Sequence, residues 1–380
     1  MKLHHIADAH AARSVAEKLD SRSPLALDCE AAGYHRYSDR LCLVQLSAPG
    51  HTWLIDTLAL DASGMLRSPL EDPGREIVMH GASYDLRLLS RDLGIRVRGV
   101  FDTQVAAALL GETALGLSAL LERFLGVRLP KKYQRADWAM RPLPAEMLEY
   151  AAADTRYLAT LADILRARLE RTGRLAWASE EFRWLERAAS SSSREDPDPD
   201  PATKLKNARH LAPRALQRLR ALWTWRDEVA RRKDRAPFRV AADDVLLKLA
   251  EAPPRSIAEL ARRPGVSPIL ARADGGRLFE HLDRAESIPE ARIAPGRRRR
   301  EGSLPRLAPE GEERARELRA ARVRRARELG LDPGLLLPNK TIVEIVRANP
   351  ASPEELARVP HVRTWQVEVL GRAALDILRA

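Results

Sequence analysis

The chain has 380 residues, which is long enough for two or three domains that each bury a hydrophobic core. Lys and Arg outnumber Asp and Glu by 64 to 53, so the formal net charge of +11 favours a polyanionic partner, although an Arg-rich proteome would give the same balance. Two cysteines exclude a disulfide framework, and neither a run of about 20 apolar residues that could span a bilayer nor a secretion signal is recognisable. These features predict a cytoplasmic protein that does not bind a membrane.

The first predicted strand, residues 25–30, places two carboxylates on one of its faces. Side chains alternate along a strand, so Asp28 and Glu30 point the same way, close enough to share a metal ion. Cys29 faces the other side and is predicted to pack there rather than to act as a nucleophile. An Asp-x-Glu pair at a strand end is also common without a metal, so the pair alone is only a first indication.

Further strands and helices predict a mixed α/β domain. Strands are predicted at residues 41–47, 51–56, 77–81 and 97–103, and helices at 84–92, 104–125 and 144–170. The strands up to residue 56 are joined by short polar turns, which favours an antiparallel meander that leads into strand–helix units. Asp102, at the end of the last strand, is predicted to cap the following helix rather than to bind metal.

Three more polar residues follow in chain order and suggest a shared site. Asp85 lies in the first turn of a predicted helix, where the helix dipole would stabilise an acid without any metal. Tyr150 and Asp154 are four residues apart, so they share one helix face, as many solvated or packed pairs do. If Asp28, Glu30, Asp85 and Asp154 converged, these four acids would repel one another unless cations lay between them. The pattern therefore predicts a two-metal phosphodiester site.

The chemistry of the predicted site favours Mg²⁺ or Mn²⁺. Both ions prefer carboxylate and water oxygens, and two of them about 3.5–4 Å apart can activate a water and stabilise a leaving oxygen. A tyrosine hydroxyl can hold that water by hydrogen bonding without being ionised. Zinc is disfavoured, because the nine histidines and two cysteines show no zinc-finger spacing.

Residues 131–143 interleave basic and aromatic side chains. Such a stretch can contact phosphates and stack on bases, although a surface loop anchored by a buried Trp138 would have the same composition. The nucleic-acid contacts predicted here are Lys131, Lys132, Tyr133, Arg135 and Arg141.

The C-terminal half is predicted to be helical and duplicated. A linker rich in Ser, Asp and Pro precedes it at residues 190–206. Residues 243–266 align without a gap with residues 339–362, at an offset of 96, and a Ser followed three residues later by Glu predicts a capped helix start in each copy. A purely structural bundle is the alternative to nucleic-acid binding. The basic residues of the first copy that favour nucleic-acid binding are Arg231, Arg232 and Lys233.

The order of these motifs resembles the tyrosine-type DEDD 3′–5′ exonucleases, specifically ribonuclease D. The resemblance rests on Asp28-x-Glu30, HGASYD with Asp85, Tyr150-x-x-x-Asp154, and the stretches FDTQVAAALLG and KKYQRADWAMRPL. It implies that the four acids hold two divalent ions, Mg²⁺ or Mn²⁺, and that Tyr150 helps to position the attacking water. His80 does not take the role of the base in histidine-type relatives, because the residue four before Asp154 is Tyr150.

The two helical copies resemble the helicase-and-ribonuclease-D C-terminal (HRDC) domain, a small module that binds nucleic acid. The resemblance implies a ribonuclease-H-like α/β exonuclease domain followed by two small all-α domains. The predicted bounds are 1–189 for the exonuclease domain, 190–206 for a linker, 207–287 for the first copy, 288–309 for a basic linker and 310–380 for the second copy.

The predicted function is that of a two-metal-dependent 3′–5′ exoribonuclease that trims the 3′ ends of structured RNA precursors, with tRNA precursors as the expected substrate. The residues themselves argue for phosphodiester hydrolysis, whereas the RNA preference, the 3′ polarity and tRNA come from the resemblance. A DNA-directed 3′–5′ exonuclease would use the same acids. A catalytically silent nucleic-acid-binding scaffold is the other alternative, and the presence of all five motif residues argues against it.

Overall fold

The computed structural model describes residues 1–19, 23–130, 132–191, 200–295 and 307–379. Parts of three predicted features lie outside these residues: Lys131 of the RNA contacts, residues 192–199 of the first linker, and residues 296–306 of the basic linker. Within the described part of the chain, no helix combines the length and the apolar character that a bilayer crossing requires. The domain bounds stay a prediction.

A six-stranded mixed sheet forms the centre of the N-terminal domain. The strands are β1 Lys2–Ile6, β2 Leu25–Ala31, β3 Leu41–Ala48, β4 His51–Asp56, β5 Ile77–Met79 and β6 Val100–Asp102. They lie in the order β1-β4-β3-β2-β5-β6. The predicted antiparallel meander is confirmed, because β3 pairs antiparallel with both β2 and β4. β5 and β6 continue the sheet in parallel from β2, and β1, which was not predicted, pairs in parallel with β4.

Helices pack on both faces of this sheet. They are α1 Ala9–Leu19, α2 Ser63–Glu71, α3 Ser83–Leu93, α4 Thr103–Leu109, α5 Leu117–Leu125, α6 Ala145–Arg156, α7 Leu158–Arg171 and α8 Leu175–Ser191. Leu25 and Leu27 of β2 pack into one core with α1 to α3. Ala26, which points the opposite way along the same strand, packs into a second core with α4, α5, α7 and α8. Because its side chains alternate between the two faces, the first half of β2 is held between two cores. Asp28 and Glu30 follow towards its C-terminal end.

Two helical copies follow, and their helices begin 96 residues apart. The first copy consists of α9 Pro213–Arg232, α10 Pro237–Val240, α11 Asp243–Glu251, α12 Ile257–Arg262 and α13 Pro268–Glu286. The second consists of α14 Pro309–Leu329, α15 Pro333–Leu336, α16 Asn339–Ala348, α17 Pro353–Arg358 and α18 Thr364–Arg379. Each copy packs around a hydrophobic cluster of its own. The duplication seen in the sequence thus extends to all five α-helices described in each copy.

The predicted helix caps are present in both copies. The Ser256 hydroxyl accepts a hydrogen bond from the Glu259 N–H at 3.1 Å, and the Ser352 hydroxyl accepts one from the Glu355 N–H at 3.2 Å. Each glutamate side chain in turn accepts from the N–H that precedes the serine, at 2.8 Å. These reciprocal bonds satisfy N–H groups that a helix start would otherwise leave unpaired.

The two copies contact different parts of the exonuclease domain. The first packs beside the loop that follows β2, where the Ala236 N–H donates to the His35 carbonyl at 3.0 Å. The second packs on α8, where the rings of Trp177 and Trp365 stack with centroids 5.0 Å apart and 20° between their planes. Because β2 carries two of the predicted acids, Asp28 and Glu30, the first copy is the one that lies near the candidate site.

Candidate active site

Four acids from three elements meet at the end of β2. Asp28 and Glu30 lie on β2 and Asp154 lies on α6, and one carboxylate oxygen from each is within 4.8 Å of the other two. Asp85, in the first turn of α3, lies within hydrogen-bonding reach of Asp28, so the two carboxyl groups can share a proton in the absence of a metal ion. The structure therefore brings together all four acids that the sequence singled out.

Asp102 fixes the start of α3 and so the position of Asp85. Its carboxylate accepts hydrogen bonds from the N–H groups of Gly81 and Ala82, at 3.0 and 2.8 Å, just before α3 begins. It also accepts from the N–H of Gln104 at 2.8 Å, which confirms the predicted cap of α4. One buried acid thus connects two helix starts, and only the second of these connections was predicted.

Burial and mutual repulsion make the four acids reluctant to ionise. Burial raises the pKa of Asp85 and of Asp154 to about 7. The pKa of Asp28 is raised well above its usual value by burial first and then by Asp85, and that of Glu30 by burial and then by Asp154. Carboxylates held together against such a cost are typical of sites that bind a cation or transfer a proton.

The donor set and its spacing fit divalent metal ions. Opposite ligands of Mg²⁺ lie about 4.2 Å apart, since each Mg–O bond is about 2.1 Å, and Mn²⁺ takes the same class of ligand. Carboxylate oxygens of Asp28, Glu30 and Asp154 spread over at most 4.8 Å can therefore surround such an ion after a small adjustment. Bound positive charge would also offset the repulsion that, after burial, raises the pKa values of Asp28 and Glu30.

Tyr150 lies beside the acids as a buried, neutral phenol. It sits one helical turn before Asp154 on α6 and is 7% exposed. Burial, followed by the negative charges of Asp154 and Glu30, raises the pKa of its hydroxyl far above neutral pH. Its ring is held by Tyr133 and Trp138, with centroids 5.8 and 6.2 Å away. The hydroxyl therefore keeps its proton and can orient a water beside the carboxylates.

Comparison with known proteins connects this geometry to a family. A model of the 3′–5′ exonuclease family matches residues 3–170, and a model of the HRDC domain matches residues 215–282 and 311–378. Ribonuclease D of Pseudomonas paraeruginosa is 33% identical over 359 residues, which cover 94% of this chain and 92% of that protein. The chain belongs to the ribonuclease D family. It is a 3′–5′ exoribonuclease, with a ribonuclease-H-like domain and a helical HRDC region.

Solved structures support the same assignment to the ribonuclease D family. A protein from Bifidobacterium adolescentis has a TM-score of 0.84 and 25% identity, over 99% of this chain and 97% of that one. RNase D of Escherichia coli, described as an exoribonuclease involved in structured RNA processing, has a TM-score of 0.71 and 27% identity. That match covers 100% of this chain and 99% of the E. coli protein, so the likeness includes both helical copies.

Some of the predicted RNA contacts after residue 131 are accessible to solvent, whereas others are buried or bonded within the protein. Lys132 donates to Glu146 at 2.8 Å, and the hydroxyl of Tyr133 bonds the same carboxylate at 2.5 Å, both at the surface. Arg135 is exposed, and its guanidinium carbon lies 5.7 Å from the centroid of the Tyr34 ring. These three side chains are at least partly accessible to solvent. Trp138 is 2% exposed, which agrees with the alternative of a buried anchor for this loop.

Arg141 was predicted to contact RNA, but its guanidinium makes hydrogen bonds within the protein. It binds both carboxylate oxygens of Asp56, at 2.6 and 2.7 Å, and donates to the carbonyls of Trp138, Met140 and Cys42. Burial alone would raise the pKa of Asp56, but Arg141 and backbone N–H groups more than offset it and lower that pKa. These contacts give Arg141 a structural role. The sequence signal for Asp56 is its position as an acid at the end of a strand.

The basic cluster of the first copy is also mostly paired. Arg232 and Lys233 both bind the carboxylate of Asp274, a buried residue of α13. Arg231 is more exposed, and it donates to the Tyr37 hydroxyl at 2.9 Å and to Asp227 at 3.1 Å. The cluster therefore ties α9 to α13 and to the loop after β2, and Arg231 is the member with most of its surface open to a ligand.

Proposed function

We propose that Asp28, Glu30, Asp85 and Asp154 hold two divalent ions, Mg²⁺ or Mn²⁺, with which this exoribonuclease cleaves RNA. The observation that carries the proposal is the approach of three carboxylates to within 4.8 Å of one another, with Asp85 within hydrogen-bonding reach of Asp28. When bound, the ions would supply activation of a water and stabilisation of the leaving oxygen. Without positive charge, four acids so placed would only destabilise the protein.

The chain's own residues would orient the reactants around that centre. The Tyr150 hydroxyl, which keeps its proton, would hold the attacking water by a hydrogen bond and limit its approach to one direction. The Asp102 carboxylate would keep Asp85 in place through the start of α3. Aromatic packing by Trp138 and Tyr133 would fix the Tyr150 ring. Each of these groups acts by position, so we assign none of them a covalent step.

We propose structured RNA precursors, tRNA precursors among them, as the substrates. The E. coli relative is described as acting in structured RNA processing, and the chain resembles it over its full length. Lys132, Arg135 and Arg231, which are exposed, and Tyr133, which is partly buried, are the basic and aromatic residues that we assign to RNA contact. The cytoplasmic location inferred from composition stays a prediction.

A metal-dependent nuclease assay on matched RNA and DNA oligonucleotides tests this function. The wild-type chain should shorten RNA from its 3′ end in Mg²⁺ or Mn²⁺ and stop in EDTA, whereas preference for DNA would favour the alternative substrate. Asp28→Asn should lose about a thousandfold in single-turnover rate, about 4 kcal/mol in the barrier, and keep most of its RNA affinity. Near-normal cleavage by Asp28→Asn at saturating Mg²⁺ would contradict the assignment of Asp28 as a metal ligand.

A further inference from the structure

A cavity of about 560 Å³ lies beside the acid cluster, lined by both the exonuclease domain and the first helical copy. Its walls include Glu30, Tyr34, Tyr84, Gln134, Trp138 and Phe238. Glu30 is one of the four acids, so an occupant of this cavity lies next to the bond that the site cleaves. Phe238 belongs to α10 of the first copy, so the cavity depends on how the two domains meet.

Two aromatic rings form an exposed pair on the wall of this cavity. The centroids of Tyr34 and Phe238 are 5.5 Å apart, with 56° between the planes, and the residues are 40% and 48% exposed. The guanidinium carbons of Arg135 and Arg239 lie 5.7 and 5.3 Å from the Tyr34 centroid. A surface that combines half-exposed aromatic rings with positive charge suits a nucleobase that carries a phosphate.

Hydrogen bonds hold the two rings in fixed relation to each other. The Ala236 N–H donates to the His35 carbonyl at 3.0 Å, and the Arg36 guanidinium binds Asp234 at 3.3 Å. His35 is the residue after Tyr34, and Ala236 precedes the phenylalanine by two residues. A platform that is already assembled loses less conformational entropy when a ligand binds, which favours affinity.

The second helical copy lacks the exposed ring at the equivalent position. The first copy reads PFRV at 237–240, and the second reads PGLL 96 residues later, so Gly334 and Leu335 take the places of Phe238 and its arginine neighbour. Leu335 packs against a core cluster of the exonuclease domain. The second copy therefore reaches the same fold without this ring or guanidinium. Folding alone does not explain why Phe238 and Arg239 lie beside the acids.

We propose that an unpaired base near the 3′ end of the RNA packs against the paired rings of Tyr34 and Phe238, and that Arg135 and Arg239 bind the phosphate attached to it. The subsite rests on the proposed active site, because its distance from the cleaved bond is set by Glu30. An aromatic platform accepts every base, which suits an enzyme that removes successive nucleotides without regard to sequence. The first helical copy then takes part in placing the substrate's end, through Phe238 and Arg239, which the second copy replaces with Gly334 and Leu335.

Abasic substitution in the RNA tests the stack directly. Single-stranded oligonucleotides with one abasic nucleotide at each position near the 3′ end are titrated with the full chain in EDTA, and affinity is read by fluorescence anisotropy. At one position the wild type should lose affinity by about tenfold or more, the scale of one base–aromatic stack. Phe238→Ala should lose a similar factor on intact RNA and show little further loss on that abasic RNA.

Matched variants separate this effect from general damage. Phe238→Tyr and Tyr34→Phe keep an aromatic ring and should retain the wild-type sensitivity to the abasic position. Ile269→Ala removes a side chain that is 72% exposed in the same helical copy and is not among the described residues that line the cavity, so it should bind as the wild type does. Equal abasic losses in wild type and Phe238→Ala at every position would overturn the proposal. Because binding is read in EDTA, this outcome is independent of whether Asp28→Asn abolishes cleavage.

Discussion

Arg226 and Arg322 lie 96 residues apart and make the same buried contacts in the two helical copies. Arg226 of α9 donates to the Ala241 carbonyl at 3.1 Å and to Asp243 at 2.6 Å. Arg322 of α14 donates to the Leu337 carbonyl at 2.6 Å and to Asn339 at 2.8 Å. The acceptors differ in charge but occupy equivalent positions. In each copy the arginine therefore links the long helix to the start of another helix, α9 to α11 in the first and α14 to α16 in the second.

Replacing either arginine should loosen its own copy and leave the other intact. Arg226→Met removes two hydrogen bonds and leaves a carbonyl without its donor, at a cost of about 2–3 kcal/mol. Hydrogen exchange should then show faster exchange in α11 for Arg226→Met and in α16 for Arg322→Met. Arg272→Met, on the exposed face of α13, provides the control and should change neither helix. Faster exchange in both copies with either variant would show that the copies do not open independently.

Tyr150→Phe should slow cleavage without weakening metal binding. The variant removes only the hydroxyl, so the water loses its orienting partner, and the single-turnover rate should fall about a hundredfold. Affinity for Mn²⁺, measured by calorimetry, should stay close to that of the wild type, because the carboxylates are untouched. Tyr157→Phe removes a hydroxyl at the end of the same helix and serves as the control. If metal affinity fell together with the rate, Tyr150 would support the acids rather than the water.

The stability of the metal-free protein should depend on pH through Asp154. Burial raises its pKa to about 7, against about 4 in an unfolded chain. Below pH 4 the carboxyl is protonated in both states and costs nothing. As the pH rises from about 4 to about 7, only the unfolded chain releases the proton, so the free energy of unfolding falls and then levels off. Asp154→Asn removes this loss and should therefore stabilise the protein more at high pH.

Urea denaturation in EDTA measures that difference. The stabilisation by Asp154→Asn should be about 2 kcal/mol larger at pH 8 than at pH 5. Asp163→Asn, on a side chain of α7 that is 76% exposed, should show no such dependence on pH. Saturating Mg²⁺ should reverse the order of wild type and Asp154→Asn at pH 8, because the ions bind the intact set of acids. Equal effects of Asp154→Asn at both pH values would contradict the raised pKa.

The sequence predicted those features that depend on local spacing. The alternation of a strand placed Asp28 and Glu30 on one face, and the position of Asp102 after a strand indicated a helix cap, as the structure shows. The bond between Arg141 and Asp56 joins residues 85 apart, and the Tyr34–Phe238 pair joins two domains. Such contacts follow from how the elements pack, so a basic residue in a loop could not be assigned to RNA or to the fold from its neighbours in the chain.

Two arginines of the same loop should therefore respond to substitution in different ways. Arg141→Ser leaves the carboxylate of Asp56, which is 1% exposed, without its bidentate partner, and should cost about 3–5 kcal/mol of stability. Arg135→Ser removes an exposed charge, so it should leave the urea midpoint unchanged, weaken RNA binding and reduce the slope of log K against log salt by about one. Filter binding at several salt concentrations, beside urea denaturation, measures both. If Arg141→Ser were stable and reduced the slope of log K against log salt, Arg141 would contact RNA rather than stabilise the fold.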